Sequence, residues 1–246
     1  MTTLEIAGLT KRHGARAALD HVSLAVPGGQ FVALVGPSGS GKTTLLKSIN
    51  RLVEPDEGSV ILAGRDVRDV PLAELRHGIG YVIQSVGLFP HMSIAENIGI
   101  VPKLMGQGNE GRIAELLELV ALPPEMASRF PRELSGGQAQ RVGFARALAA
   151  APQLMLMDEP FGALDPVTRD SLGRNYRDLH DRLGLTTLMV THDISEALLL
   201  ADRIVVLIEG RIRAEGTAAA LLGSDDPDVS AMIDVPRRQA ERLAAL

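Results

Sequence analysis

The sequence predicts an α/β fold with a parallel-sheet core, and two patterns indicate it. After Gln153 the apolar runs LMLMD, TTLMVTH and RIVVLIEG alternate with the segments PVTRDSLGRNYRDLHDRLG and DISEALLLA. Because apolar residues recur in those segments at helical spacing, the alternation is typical of a parallel sheet covered by helices. In the first third, the segments LEIAGL, HVSLAV and QFVALV predict further strands, and SVILAG and IGYVIQ predict two more.

Between these strand-rich parts lies a segment without strand signals. From Ser93 to Ala151 the patterns RIAELLELVAL and GQAQRVGFARALAAA predict helices, so we expect a helical insertion and a core that resumes near Gln153. After Leu222 comes the polar stretch GSDDPD, and then the amphipathic piece RRQAERLAAL, which is expected to pack outside the core. The sequence contains no internal repeat.

Composition limits the classes of partner. The chain has 246 residues, 46% of them hydrophobic, which is enough to bury a full core as one large domain or as a core with an insertion. Its net charge is −5 and only 3% of its residues are aromatic, so neither a basic groove nor a base-stacking surface is predicted. We therefore expect no nucleic-acid partner.

Cysteine usage and hydropathy indicate the compartment. The sequence has no cysteine, which excludes disulfides and zinc–thiolate sites, and its first residues lack the long apolar stretch of a secretory signal. The most apolar region, ALLLADRIVVLIEG, is interrupted by Asp202 and Arg203 and falls short of the ~20 apolar residues of a membrane helix. We expect a cytoplasmic chain that reaches the membrane only through a partner.

A glycine-rich stretch follows one predicted strand directly. GPSGSGKTT lies between the apolar run FVALV and the helical pattern KTTLLKSINRLV. Glycines at such a turn let backbone N–H groups surround an anion at a helix N-terminus. A flexible loop with an accidental match is the alternative, but the flanking strand and helix argue against it. We predict a nucleoside-triphosphate site made of Gly36, Pro37, Ser38, Gly39, Ser40, Gly41, Lys42, Thr43 and Thr44.

Within that stretch, two side chains carry specific expectations. Lys42 is expected to reach the β- and γ-phosphates, and Thr43 is expected to bind Mg²⁺. A second glycine cluster, LSGGQ, opens another predicted helix at Ser135. An ordinary helix cap would explain Ser135 alone, but not two adjacent glycines, each of which costs about 1 kcal/mol relative to alanine inside a helix. This cluster is thus a second candidate phosphate-binding helix end.

Two adjacent carboxylates end another predicted strand. In LMLMDEP, Asp158 and Glu159 follow an all-apolar run, at the edge of a parallel sheet where ligands gather. Because adjacent side chains point in different directions, one carboxylate can hold Mg²⁺ while the other faces a water. The alternative is that one of them only caps the next turn.

Six motifs in order resemble the ATP-binding cassette (ABC) ATPases: GPSGSGKT, GYVIQ, LSGGQ, LMLMDEP, ALD and VTHD. The resemblance extends to about Leu222 and implies a P-loop cassette with an N-terminal antiparallel β subdomain, a parallel-sheet core (1–85 and 152–222), an inserted helical subdomain (86–151) and a C-terminal tail (223–246). It implies ATP and Mg²⁺ as cofactors. It assigns Asp158, Thr43 and Gln84 to the metal, Glu159, His192 and Gln84 to hydrolysis, and Ser135, Gly136, Gly137, Gln138 and Asp165 to the nucleotide.

In this family two cassettes stack head to tail, so each ATP lies between the glycine-rich loop of one and the LSGGQ motif of the other. The resemblance therefore implies a homodimer or paired cassettes, and it explains two phosphate-binding helix ends in one chain. The family usually stacks adenine on an aromatic residue where this chain has His13. His13 is either that stacking residue or a surface turn residue.

The stretches GYVIQSVGLFPHMSIAENI, INRLVEPDEG and MDEPFGALDPVTRD resemble the quaternary-amine importers, which take up glycine betaine, choline or carnitine. This implies an ATPase on the cytoplasmic face of the membrane, with separate integral permease subunits and an extracytoplasmic substrate-binding protein. Many members carry regulatory domains after the cassette, and we expect none in this sequence, which ends too soon to hold them. The alternatives are an importer ATPase for an amino acid, sulfonate or oxyanion, and a soluble cassette that acts as a switch without transport.

The segment from Gln84 to Ile98 is the expected permease contact. It leaves a core strand, enters the helical insertion and contains the apolar tip VGLFPHM. Alternatively, Leu88, Phe89 and Met92 fill the junction between subdomains.

Overall fold

The computed structural model describes residues 2–108 and 111–234. Its strands are β1 (Thr2–His13), β2 (Arg16–Pro27), β3 (Phe31–Val35), β4 (Glu57–Leu62), β5 (Arg65–Asp66), β6 (Ile79–Val82), β7 (Leu154–Asp158), β8 (Thr187–Val190), β9 (Arg203–Ile208) and β10 (Arg211–Gly216). Its α-helices include α1 (Lys42–Ile49), α2 (Leu72–His77), α3 (Ile94–Leu104), α4 (Arg112–Leu119), α5 (Gly136–Leu148), α6 (Pro166–Leu183), α7 (Ile194–Leu200) and α8 (Ala218–Leu222).

The strands form two sheets. The first is antiparallel, with the order β2-β1-β4-β5. The second has the order β10-β9-β3-β8-β7-β6, and all its pairs are parallel except the one that β10 makes at the edge. The predicted α/β class, with its antiparallel subdomain and parallel core, is confirmed.

The register of the parallel sheet gathers several loops at one edge. Val190 on β8 pairs with Leu34 on β3 and with Asp158 on β7. The loops that follow these strands therefore leave the sheet side by side. Ligands bind at this carboxyl edge in open α/β sheets, because the helices and loops on either side leave a crevice there.

The parallel sheet is buried on both faces. Along β7, Leu154 and Leu156 pack in one apolar cluster while Met155 and Met157 pack in the other. A strand covered on both faces is apolar at every position, which explains the unbroken run LMLM. The first cluster fills the space between the two sheets and α1, and the second reaches α3, α4 and α5 of the helical insertion.

Residues after α8 also pack against the core. Residues 227–234 are helical, and Val229 and Ile233 are buried in the same cluster as Met155. An ion pair of 2.8 Å between Arg213 Nε and Asp226 Oδ2 holds the start of this segment against β10. The segment RRQAERLAAL, expected outside the core, lies outside the described residues.

Candidate functional site

The glycine-rich stretch forms a tight loop between β3 and α1. Gly36 has φ +153°, and a Cβ there would lie 2.0 Å from the Leu207 carbonyl oxygen. Gly41 has φ +103°, and its Cβ would lie 2.1 Å from the Ala18 carbonyl oxygen. Both positions therefore require glycine, because any side chain would collide with backbone.

Lys42 begins α1 and lies back over this loop. It is 6% exposed, and its Nζ donates hydrogen bonds to the carbonyl oxygens of Gly36 (2.8 Å) and Pro37 (2.9 Å). Burial lowers the pKa of the Lys42 ammonium, while the carboxylates of Glu159 and Asp158 act in the opposite direction. The site thus holds a cation beside the positive end of α1, an arrangement that favours an anion.

Thr43 and Asp158 bring two oxygen ligands together. Thr43 Oγ1 donates a hydrogen bond of 3.0 Å to Asp158 Oδ1. Burial raises the pKa of the Asp158 carboxyl, and the hydrogen bond from Thr43 and the charge of Lys47 offset part of the increase. A hydroxyl and a carboxylate are hard oxygen donors of the kind that Mg²⁺ prefers.

Glu159 is the point where three predicted residues meet. Its Oε2 accepts a hydrogen bond from Gln84 Nε2 at 2.9 Å and lies 3.2 Å from His192 Nδ1. Its backbone N donates to the Val190 carbonyl oxygen at 2.8 Å, with φ at +48°. A non-glycine residue in this conformation costs on the order of 1 kcal/mol and persists where the surrounding structure holds it.

The same region contains a pocket of about 630 Å³. Its lining is His13, Arg16, Ala18, Ser38, Gly39, Ser40, Gly41, Lys42, Thr43, Thr44, Glu159 and His192. His13 and Arg16 are cross-strand partners at the end of the β1–β2 hairpin, so the register brings both to the pocket.

Arg16 is a pocket residue that the sequence analysis missed. Its Nη2 donates a hydrogen bond of 3.2 Å to the Gly39 carbonyl oxygen and thereby joins the hairpin to the loop. The only sequence signal was its distance of three residues from His13 across the turn GA.

The second glycine cluster does not line this pocket. Ser135 caps α5: its Oγ accepts from the Gln138 backbone N at 3.3 Å, and Gln138 Oε1 accepts from the Ser135 backbone N at 3.0 Å. Gly137 packs so closely on α6 that a Cβ there would lie 2.8 Å from Thr168 Cγ2. The helix end at Ser135 is therefore well formed but separate from the pocket around Lys42.

Asp165 is likewise outside the pocket lining. It is exposed and caps α6 by accepting a hydrogen bond from the Thr168 backbone N at 3.0 Å. Hydrogen bonds from this turn lower the pKa of the Asp165 carboxyl. Gly137 packs against the same Thr168, so Asp165 and the second glycine cluster are neighbours.

Two features are absent from the described residues. They contain no group of three or more His, Cys, Asp or Glu side chains that could hold a metal ion. None of the helices among them is long and apolar enough to cross a membrane.

A parallel sheet with a glycine-rich loop between β3 and α1 defines the P-loop class of fold. The chain belongs to the ABC transporter family, whose model matches residues 19–162. It is similar to the ATP-binding cassette MJ0796, in a dimeric post-hydrolysis state bound to ADP and Pi, with TM-score 0.77, 34% identity and coverage of 87% of this chain and 98% of the other.

Two curated relatives are about half identical to the chain. The choline transport ATP-binding protein OpuBA of Bacillus subtilis is 51% identical over 225 residues, 90% of this chain and 59% of that protein. The glycine betaine uptake system ATP-binding protein YehX of Escherichia coli is 49% identical over 222 residues, 89% of this chain and 72% of that protein. The chain thus spans about three fifths of the length of the Bacillus protein.

Proposed function

We propose that this chain binds and hydrolyses ATP to power the import of a quaternary-amine osmoprotectant through a separate permease. The observation that carries the hydrolytic part is the convergence of Gln84 and His192 on Glu159 Oε2. Glu159 is the general base in this proposal, because its carboxylate lies in the pocket that Lys42 also lines. Gln84 and His192 hold the carboxylate in place.

The phosphates of ATP bind to the loop from Gly36 to Thr44. Lys42 exchanges its carbonyl partners for the β- and γ-phosphate oxygens, and the backbone N–H groups at the start of α1 complete the contact. His13 lies on the hairpin side of the pocket, where it is the candidate to stack on adenine.

Thr43, Asp158 and Gln84 are the proposed Mg²⁺ ligands. The hydrogen bond between Thr43 and Asp158 supports this set because it places two oxygen donors together. Mg²⁺ usually takes one or two protein carboxylates and completes its shell with substrate phosphates and waters, which agrees with the small donor set. When bound, the ion neutralises phosphate charge.

Two copies of the chain are proposed to act together. Ser135, Gly136, Gly137, Gln138 and Asp165 do not line the pocket around Lys42, although the helix end at Ser135 suits an anion. A head-to-tail dimer would present this helix end to the ATP of the partner subunit. The dimeric form of the similar cassette MJ0796 supports this arrangement.

The assignment of the cargo and of the other partners is based on the relatives, whose names state choline transport and glycine betaine uptake. Import requires integral permease subunits and, in this proposal, an extracytoplasmic substrate-binding protein. The chain then sits on the cytoplasmic face of the membrane. The helical subdomain (86–151), in particular its first residues, contacts the permease.

Uptake in cells tests the cargo. A strain lacking the chain should lose uptake of radiolabelled glycine betaine or choline, most visibly at high osmolarity, and the complemented strain should regain it. Uptake of an amino acid, a sulfonate and sulfate serves as the control set. Unchanged amine uptake with loss of a control substrate would favour the other importer class, and loss of none of them would favour a switch without transport.

A further inference from the structure

A network of hydrogen bonds holds the turn that carries His192. Thr191 Oγ1 donates to Glu196 Oε2 at 2.7 Å and accepts from the Asp193 backbone N at 3.0 Å. Asp193 Oδ1 accepts from the backbone N of Ser195 at 2.9 Å and thereby caps α7. The residues on both sides of His192 are therefore held, while the His192 side chain is 62% exposed.

Arg169 of α6 joins this network from the opposite side. Its Nη1 lies 3.3 Å from Asp193 Oδ2, and its Nε lies 3.6 Å from Glu196 Oε1. Its Nη2 donates a hydrogen bond of 3.2 Å to the carbonyl oxygen of Leu164, the residue before Asp165. One guanidinium thus connects the turn after His192 with the segment that leads into α6, because its two terminal nitrogens donate hydrogen bonds to Asp193 and to Leu164.

The contacts of Arg169 with Glu196 and Asp193 are partly buried, so their loss affects stability. Glu196 is 9% exposed and the Arg169 side chain 30% exposed. Burial raises the pKa of the Glu196 carboxyl, and the neighbouring Asp193 carboxylate acts in the same direction, whereas Arg169 opposes both effects. Removing the guanidinium would leave Glu196 and Asp193 side by side without their cation, a situation that is costly for partly buried charges.

We propose that Arg169 is a positioning residue that fixes His192 relative to Glu159. Because Arg169 also bonds to Leu164, a change in the position of Leu164 changes the position of His192. Arg169 does not line the pocket and touches no residue of the glycine-rich loop among its described contacts. Its effect on hydrolysis is therefore indirect, through the turn at residues 191–193. The inference rests on the proposed function, since it concerns the same site.

The test compares Arg169→Gln and Arg169→Lys with the matched control Arg174→Gln. Arg174 lies on the same helix and pairs only with exposed Asp170 in the described structure. Arg169→Gln should keep ATP affinity within about threefold but lower kcat by roughly tenfold to a hundredfold, the range expected when a catalytic group is misplaced by about an ångström. Arg169→Lys keeps the charge but loses the planar guanidinium, so its kcat should be intermediate. Arg174→Gln should have the wild-type kcat.

A second readout does not depend on activity. The ring signals of His192, identified by their loss in His192→Gln, should shift in the NMR spectrum of Arg169→Gln and remain in place in Arg174→Gln. Unchanged His192 signals with normal kcat in a folded Arg169→Gln protein would overturn the inference. If Arg169→Gln does not fold, Arg169→Lys decides: wild-type kcat and wild-type His192 signals in that variant would equally overturn it. A wild-type protein that binds no ATP would refute the proposed function, while the His192 signals would still test the link.

Discussion

Gln84 and Glu159 are joined by a hydrogen bond of 2.9 Å across 75 residues of sequence. Gln84 follows β6 at the entrance to the helical insertion, and Glu159 follows β7 in the core. Gln84 belongs to the expected permease contact, and Glu159 is the proposed base. The hydrogen bond therefore links the permease contact directly to the base. Movement of the insertion would change how Gln84 holds the Glu159 carboxylate.

Lys42→Ala should weaken ATP binding by about tenfold to a hundredfold, because a hydrogen bond to a charged group contributes about 1.5–3 kcal/mol. Isothermal titration of the purified protein with ATP measures the change. Lys103→Ala, on the exposed end of α3, is the matched control and should bind as the wild type does. Equal affinity in Lys42→Ala and the control would contradict the role of Lys42.

Ser135→Arg should abolish hydrolysis but leave nucleotide binding to the isolated subunit unchanged, because the blocked helix end acts on the partner's ATP. A mixture of Ser135→Arg and Lys42→Ala subunits should regain activity, since one of the two composite sites in the mixed dimer is intact. Steady-state ATPase rates of each variant and of the mixture give the answer. A normal rate for Ser135→Arg alone would exclude the head-to-tail arrangement.

Phe89→Asp should uncouple transport from hydrolysis. Phe89 is 40% exposed, whereas its neighbour Leu88 packs against the core and buried Asn97 bonds to both the N and the O of Phe89. This arrangement presents the ring at the surface of a fixed loop, as a docking contact requires. Uptake in cells should fall while the ATPase rate of the isolated subunit stays near wild type; unfolding of the variant by circular dichroism would instead favour a structural role for Phe89.

The stability of the fold should depend on pH through His180. His180 is 1% exposed, with Nδ1 3.0 Å from Thr187 Oγ1 and Nε2 3.3 Å from the Gly29 carbonyl oxygen. Burial lowers the pKa of His180, as does the charge of Arg177, while Asp181 and Asp202 oppose them. Below the ordinary histidine pKa of about 6.5, His180 binds more protons in the unfolded chain than in the folded chain. The free energy of unfolding therefore falls as the pH drops through that value.

Urea unfolding at pH 7.5 and 5.5 checks this expectation. The free energy of unfolding should fall by up to about 1 kcal/mol more in the wild type than in His180→Gln, the order expected for one histidine over this interval. His91→Gln, which changes an exposed histidine, is the control and should keep the wild-type dependence. An identical pH dependence in all three proteins would show that His180 does not contribute.

The sequence predicted the parts of the site that local patterns determine. Gly36 and Gly41 stand where the backbone leaves no room for a side chain, and Asp158 and Glu159 stand where an apolar strand ends. Such positions are recognisable because one steric or burial requirement selects the residue type. The carboxyl ends of β3, β8 and β7 lie together beside Val190 because these strands are parallel, as the alternation of strands and helices predicted.

Other features depend on distant contacts that no local pattern reports. β10 was missed because its residues alternate between exposed charges and half-buried positions, and it pairs only at the sheet edge. Arg16 reaches the pocket through the register of a hairpin, and Arg169 reaches the His192 turn through the packing of α6 on α7. The burial of Val229 and Ile233 was hidden by the polar stretch that precedes them.

Glu159 is the proposed base that activates water for ATP hydrolysis. Glutamine keeps the shape of the side chain but cannot accept the proton, so Glu159→Gln should bind ATP with wild-type affinity and lose steady-state hydrolysis. With Mg-ATP the variant should accumulate as a dimer in size-exclusion chromatography, since the trapped nucleotide holds two copies together. A Glu159→Gln protein that hydrolyses ATP at the wild-type rate would show that Glu159 is not the base.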